Sequence, residues 1–352
     1  MLVPADGMTW PSRWLEENVA CPHDGQPLAW AESSCTCGRG HHFPIVHGVP
    51  VLLRDDVGPG HDLWRTTPTD VARLSSDPAA AAPLKANTVD WFVEGSLVAT
   101  CGNLYRGCKT PLARYPLPAL KLPPGDDRIF LDVGSNWGRW ALAAAQLGYR
   151  AVAIDPSLDA VLAGARVARQ LGVHVDFLVA DARHLPFRDR TADVVFSYSV
   201  LQHLDKQVAR DVLEEIARVG RAGGLVRIQM ANRYGIRQLA NRTVERIKGG
   251  IRTLARERRE PYHFRVRHWT PAELRRTFTE LVGPTTVSVD GFLSLNARAT
   301  DLDLLKPSSA AVVQASEALC RLSAVWPGLS RLADSVFVDA VNRAEPPRRR
   351  ST

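Results

Sequence analysis

From Arg128 onward, short apolar runs alternate with segments of helical periodicity. RIFLDV (Arg128 to Val133) reads as a strand, and the WALAAAQL that follows reads as a helix stopped by Gly148. RAVAID (Arg150 to Asp155) is the second strand, and a helix with Ser157 as its N-cap runs to Leu171 before Gly172. HVDFLVA and DVVFSYS supply the third and fourth strands. Asp205 is placed to cap a helix whose Val208, Val212, Ile216 and Val219 share a face, ended by Gly223 and Gly224; LVRIQM is a fifth strand. Alternation at this spacing predicts parallel strands with right-handed crossovers, an α/β, doubly wound, Rossmann-like sheet. A short helix (Pro271 to Leu281) and two β-rich runs, TTVSVDGF and DSVFVDAV, are expected to add antiparallel strands at one edge, making seven strands in all.

The first 128 residues are less regular. Residues 1–53 hold three of the six cysteines (Cys21, Cys35, Cys37) and four of the ten histidines, and read as a small ribbon-like β module. Residues 54–86, with Gly58, Pro59, Gly60, Pro68, Pro78, an alanine run and Pro83, read as a linker. The larger domain is expected over 87–345, with a short tail from 346 to 352.

Composition narrows the class. A chain of 352 residues with 45% hydrophobic positions is long and apolar enough for one large domain plus a small module, which excludes general disorder. No run reaches the roughly 18 apolar residues of a spanning helix. MLVPADGMTWPSRW lacks the basic flank and apolar core of a secretory signal, and six cysteines are too few for a disulfide scaffold, so a reducing cytoplasmic setting is expected.

The net charge of +7 is unevenly placed. Eleven Lys/Arg and three Asp/Glu lie between Arg233 and Arg267, on an otherwise near-neutral chain. That basic insertion has the amphipathic spacing of one helix, or of two broken at Gly249 and Gly250. It suggests a lid facing an anionic partner, or else an arginine-coated solvated face.

In an open α/β sheet, ligands bind beyond the carboxyl ends of the strands. There the chain places Asp132, Gly134, Ser135, Asn136 and Gly138 after the first strand and Asp155 after the second. Asp181 with Ala182 follows the third, and Ser197 lies in the fourth. Glycines allow a tight turn and a close approach to a ligand, and a helix opening at Gly138 offers free N–H groups. An acidic residue about 20 positions on suits ribose hydroxyls. A carboxylate at Asp132 repels a pyrophosphate, which argues against a dinucleotide, and attracts a cationic ligand.

LDVGSNWGRW, AIDPS, VADARHLPF, DVVFSYSVLQHL and RVGRAGG, in this order, resemble the class I S-adenosylmethionine-dependent methyltransferases. The resemblance implies that Asp132, Gly134, Ser135, Asn136 and Gly138 cradle the methionyl part of S-adenosyl-L-methionine. It also implies that Asp155 takes the ribose, that Asp181 and Ala182 meet the adenine, and that Ser197 closes the pocket near the sulfonium. Asn136 stands where the family usually has glycine, a position that Asn tolerates better than most residues.

CPHDGQPLAW and CTCGRGHHFPIVHGVPVLL resemble the zinc-ribbon-type modules that precede some methyltransferases, including ribosomal-RNA enzymes, and those of tRNA-methyltransferase activators. The resemblance leaves two readings. One is a structural zinc site drawn from Cys21, Cys35, Cys37 and His41 or His42, with Asp24 standing where a cysteine is expected. The other is a degenerate ribbon folded around Phe43, Ile45, Val46, Val49, Val51 and Leu52 without metal.

An O–H acceptor calls for a general base, and His203, His263 and His268 are the candidates near the strand ends, with Tyr262 beside them. The favoured acceptor is a small molecule or glycan of anionic character, methylated on oxygen. An RNA base, or a non-catalytic role as a cofactor-binding partner, are the alternatives. The fourth strand carries SYS where many amino-group methylators carry Asn/Asp-Pro-Pro-aromatic, which weighs against a nucleic acid.

Overall fold

The structure, a computed structural model, describes residues 12–57, 66–241, 266–293 and 297–343. The chain begins with α1 (Arg13–Asn18) and a meander of β1 (Leu28–Trp30), β2 (Ser34–Cys37), β3 (His42–Val46) and β4 (Val49–Leu52). Then come α2 (Pro68–Ser75), α3 (Trp91–Cys101), β5 (Ile129–Val133), α4 (Arg139–Gln146), β6 (Arg150–Asp155), α5 (Leu158–Leu171) and β7 (Val175–Ala180). The remainder is β8 (Ala192–Tyr198), α6 (Lys206–Val219), β9 (Gly220–Ala231), α7 (Pro271–Leu281), β10 (Thr285–Gly291), α8 (Pro307–Val325) and β11 (Ser335–Val341).

Every residue of β5 and β7 is buried, which is the signature of parallel strands covered on both faces. Phe130, Ala153, Phe177 and Phe196 point to the face covered by α4 and α5. Leu131, Ile154, Leu178 and Val195 alternate to the other, against α6 and α7. α5 starts and stops where the sequence says, whereas α6 ends at Val219 and not at Gly223 and Gly224, because the chain from Gly220 onward is drawn into β9. Ser157 Oγ caps α5 by accepting from the Ala160 N–H, and Gly172 ends it at φ 64°.

The strand order is β1-β2-β3-β4-β7-β6-β5-β8-β9-β11-β10. From β7 to β9 neighbours run parallel, while β11 and β10 close one edge antiparallel. The order of strand addition reverses between β5 and β8, since the chain steps outward from β5 to β6 and β7 and returns to β8 on the other side of β5, and that crevice is the switch point where such sheets bind ligands.

The sheet corrects the expected seven strands. It is one mixed sheet of eleven, because β4 pairs parallel with β7 in the register Val51↔Val179 and Leu52↔Ala180. All four β4 residues are buried, and β7 is a fully buried strand whose outer edge requires a neighbour. The N-terminal meander supplies it.

Two further differences follow from long-range packing. The stretch read as a linker contains α2, opened by a Thr67–Asp70 capping box, and Thr66 Oγ1 both donates to Pro156 O and accepts from the Leu158 N–H. Between β10 and β11 lies α8, unread in the sequence because its buried stripe is Ser309, Val313, Ser316 and Ser323 rather than a row of large apolar residues. Val313, Ala297 and Leu305 form a small third core with Leu97, Cys101, Tyr105 and Leu112. The basic insertion at 233–267 falls largely on 242–265, outside the described residues.

Candidate functional site

The turn from β5 into α4 lies at the switch point. Its backbone is left-handed at Gly134 (φ 75°), Asn136 (φ 51°) and Gly138 (φ 77°). The N–H groups of Gly134 and Ser135 both donate to Ile154 O at 2.9 Å, folding the turn over the end of β6. Asn136 donates its N–H to Asp155 Oδ2 at 2.8 Å, and its own Oδ1 accepts from the Trp137 N–H at 2.9 Å. That side-chain bond offsets the strain of a non-glycine residue at positive φ.

Side chains would not fit at the glycines. A Cβ on Gly134 would lie 2.5 Å from Val200, and one on Gly138 would lie 2.7 Å from the Phe177 ring. The same ring would lie 2.5 Å from a Cβ on Gly164 of α5, so loop, strand and helix close on Phe177. Gly164 escaped the sequence reading, because a glycine inside a helical pattern carries no distinguishing signal.

Two carboxylates sit beneath this turn. Asp132 is almost fully buried, and its Oδ2 accepts from the Ala141 N–H at 3.2 Å. Burial, opposed by that hydrogen bond and reinforced by nearby Asp155, pushes its carboxyl up to about 8. Asp155 accepts from Asn136 through Oδ2 and from the Ser157 N–H through Oδ1. Burial raises it to about 6, against the pull of both N–H groups. Among the described residues, no arginine, lysine or histidine forms an ion pair with either. The pair therefore presents uncompensated acidity to a ligand.

The other expected cofactor contacts are placed differently. Asp181 is held by Arg183, through its Nε and guanidinium NH₂ (2.6–3.1 Å) and its backbone N–H. Burial pushes the Asp181 carboxyl up, and the Arg183 bonds more than reverse this, leaving it below the usual range. Ala182, half-buried beside it, packs against the core. Ser197 is fully buried and donates to Val133 O at 2.8 Å, stitching β8 to β5. Its hydroxyl is thus committed to the sheet, and the residues at the mouth are Ser199 (φ 63°) and Val200.

His203 closes the short turn Leu201–His203 beyond β8, and its carbonyl accepts from Arg267 at 2.7 Å. Arg267 also donates its N–H to Gln202 O and pairs with Asp205 at 2.5 Å. Asp205 thus stands at the N-cap of α6 with its side chain turned to an ion pair instead of to the helix. The segment of half-buried His268 is thereby laid against that of His203. His263 and Tyr262 lie outside the described residues.

A second set of charges went unread. Arg139, the first residue of α4, is buried and donates to Asp301 at 2.9 Å, to Pro116 O and to the Tyr105 hydroxyl. Arg298 pairs with Asp290 at 2.7 Å and lies over the rings of Trp140 and Tyr198. Asp290 also accepts from the Tyr198 and Ser335 hydroxyls. These contacts fasten the segment before α8 to the end of β8 and the start of α4. Tyr198 and Asp290 are 92 residues apart and Arg139 and Asp301 are 162 apart, so no local pattern announces these pairs. A cleft of about 120 Å³ beside Trp140 and Arg298 is walled by Phe196, Arg227 and Phe337, inside the strand ends and on the sheet face.

Within the N-terminal meander, Cys21, Cys37 and His41 come together, and Asp24 joins them. Cys35 does not: it is fully buried and belongs to the apolar core. His42 is exposed on β3.

Residues 130–224 match a family described as a methyltransferase domain. A ubiquinone biosynthesis O-methyltransferase of Parvibaculum lavamentivorans is 28% identical over 170 residues, covering 46% of this chain and 65% of that protein. A malonyl-[acyl-carrier protein] O-methyltransferase of Yersinia pestis is 33% identical over 98 residues, covering 28% of this chain and 34% of its own. The chain thus spans less than two thirds of the length of these curated relatives. Among solved structures, a methyltransferase of Methanosarcina mazei aligns over 64% of this chain and 100% of its own, at 19% identity and a TM-score of 0.44. No helix among the described residues is long and apolar enough to cross a membrane.

Proposed function

Because residues 130–224 match a methyltransferase-domain family, we propose that this chain is an S-adenosylmethionine-dependent methyltransferase that methylates an oxygen of a small molecule or sugar. The observation that carries the reading is the buried pair Asp132 and Asp155 under a left-handed turn, with no cation of the described protein to balance it. Two buried carboxylates without a counter-charge are costly unless a ligand supplies one.

S-adenosyl-L-methionine fits that requirement, bearing a cationic ammonium and sulfonium near a ribose, and supplies an electrophilic methyl when bound. Asp132 would face the cationic end. Asp155, whose oxygens each accept one N–H, retains lone pairs for the ribose hydroxyls. Gly134 and Gly138 keep the backbone close, with Val200 over the first. Asp181 reaches an adenine only by sharing oxygens that Arg183 already holds. His203 and His268, on segments that meet beyond β8, are the candidates in this reading to take the proton of an O–H acceptor, with His263 outside the described residues. Named O-methyltransferases among the relatives support oxygen as the acceptor atom. The acidic pair speaks only for the cofactor, and the acceptor's own charge rests on the basic insertion.

Calorimetric titration with S-adenosyl-L-methionine and its demethylated product tests the site. Wild-type protein should bind both and Asp155→Ala should bind neither. Absence of binding to wild-type protein removes the reading. A screen of hydroxylated small molecules and sugars for release of demethylated cofactor then tests the acceptor.

A further inference from the structure

The module brings four ligand-type atoms into one cluster. His41 Nδ1 lies 3.4 Å from Cys21 Sγ and 3.2 Å from Cys37 Sγ. Asp24 Oδ2 lies 3.4 Å from His41 Nδ1 and 3.7 Å from Cys37 Sγ. Around a tetrahedral zinc with bonds of about 2.0–2.3 Å, adjacent sulfur, nitrogen and oxygen ligands stand about 3.4–3.7 Å apart. The observed separations are close to the edges of that tetrahedron, and all four atoms lie within 4.8 Å of one another.

Local structure explains how they get there. Two similar turns each deliver a pair. In the first, Cys21 O accepts from the N–H of Gly25 (φ 72°), and Asp24 follows Cys21 by three residues. In the second, Cys37 O accepts from the N–H of Gly40 (φ 86°), and His41 follows Cys37 by four. β2 and β3 carry the second turn across to the first. Asp24 is oriented from outside the cluster: its Oδ1 accepts from the Gln26 N–H at 3.0 Å, leaving Oδ2 inward. The His41 ring is held by a stacked His23 at 4.2 Å, itself set beside Asp55 and Asp56. Exposed Arg39 is 3.9 Å from Asp24 Oδ2.

We propose that Cys21, Asp24, Cys37 and His41 form a closed tetrahedral site for a zinc-class divalent cation. Four protein ligands leave no open position, so the ion holds structure and does no chemistry. Two thiolates and an imidazole select zinc over calcium or magnesium, while a carboxylate in the fourth place makes the site weaker than a three-cysteine one. Cys35 takes no part. The proposal stands whether or not the methyltransferase reading does.

Metal analysis of the full chain, produced with zinc and dialysed without chelator, tests it. One equivalent of zinc is expected, with cobalt(II) in its place giving the intense visible bands of a tetrahedral thiolate site. Cys37→Ser and Asp24→Ala should lower metal content at least tenfold, Cys35→Ser should keep it, and Asp24→Cys should bind more tightly. The wild-type cobalt spectrum and Asp24→Cys carry the test independently of whether Cys37→Ser folds. Less than a tenth of an equivalent in wild-type protein overturns the site. So does an octahedral cobalt spectrum, or metal retained in Asp24→Ala and lost in Cys35→Ser.

Discussion

Asn136 and Asp155 are joined across the ends of β5 and β6 by a single hydrogen bond of 2.8 Å, from backbone N–H to carboxylate. One residue gives the turn its left-handed step, and the other gives the site its acidity. The bond makes each depend on the other, because it aligns the turn and stabilises the ionised carboxylate at once. Asn136→Gly should therefore leave thermal stability and cofactor affinity within a few-fold of wild type. Asn136→Val, a β-branched residue at φ 51°, should cost about 1–2 kcal/mol and weaken cofactor binding. Chemical denaturation and calorimetry read the two effects separately.

The acidic pair predicts a pH dependence of unusual sign. Both carboxyls are raised from 3.8, to about 8 for Asp132 and about 6 for Asp155, so between these limits the folded state holds more protons than the unfolded one. Their contribution to stability is full below about 4 and is lost as pH rises through 6 and then 8. The cofactor-free protein should melt at lower temperature at pH 8 than at pH 6, and Asp132→Asn should flatten that slope. A cationic ligand favours the ionised forms, so its affinity should rise over the same interval. A melting temperature that climbs from pH 6 to 8 in wild type and in Asp132→Asn alike would contradict the assignment.

Gly164→Ala should destabilise by about 1–3 kcal/mol, since its Cβ would lie 2.5 Å from the Phe177 ring and 2.8 Å from Trp137 O. Adding Phe177→Leu should make the two losses less than additive, a coupling that a double-mutant cycle of urea unfolding measures.

Arg298→Met leaves Asp290 buried with only the Tyr198 and Ser335 hydroxyls as donors. A loss of about 3–5 kcal/mol is expected. Arg298→Met combined with Asp290→Asn should recover part of it, because no buried charge is then left alone. Equilibrium unfolding by urea checks both variants.

The proposed metal site and the proposed cofactor pocket share a wall. Ala20, next to Cys21, donates its N–H to Pro186 O, Val19 bridges Phe187, and Leu52 pairs with Ala180. All three contacts flank Asp181 to His184. Chelation should therefore weaken cofactor binding several-fold, and restored zinc should reverse this. Calorimetry before and after dialysis against chelator gives the answer.

The sheet from β5 to β11 was legible because each element carries its own periodicity and its own stop signals, Gly148 and Gly172 among them. Asp132 and Asp155 were legible for a similar reason: strand ends and turn glycines fix where they lie. What stayed hidden depends on partners distant in sequence. The β4–β7 pairing joins two strands that each read simply as apolar. The pairing of Asp290 with Arg298 gains meaning only from Tyr198 and Trp140. Asp24 in place of Cys35 is a matter of geometry: Cys35 lies on β2 two residues before Cys37, deep in the core, whereas the turn after Cys21 presents Asp24 to the cluster.

The pairing of Leu52 with Ala180 also fixes an order of events during synthesis. The meander leaves the ribosome well over a hundred residues ahead of β7, so β4 emerges with an apolar edge and no strand to receive it. At translation rates of about 5–20 residues per second, that edge waits several seconds or more. An unpaired apolar strand is a template for joining other chains, which makes this interval the one in which the nascent protein is most exposed to aggregation. Ligands gathered early into a local cluster would hold the meander in shape through that wait. The part of the fold made first is thus completed only after the first three strands of the central sheet.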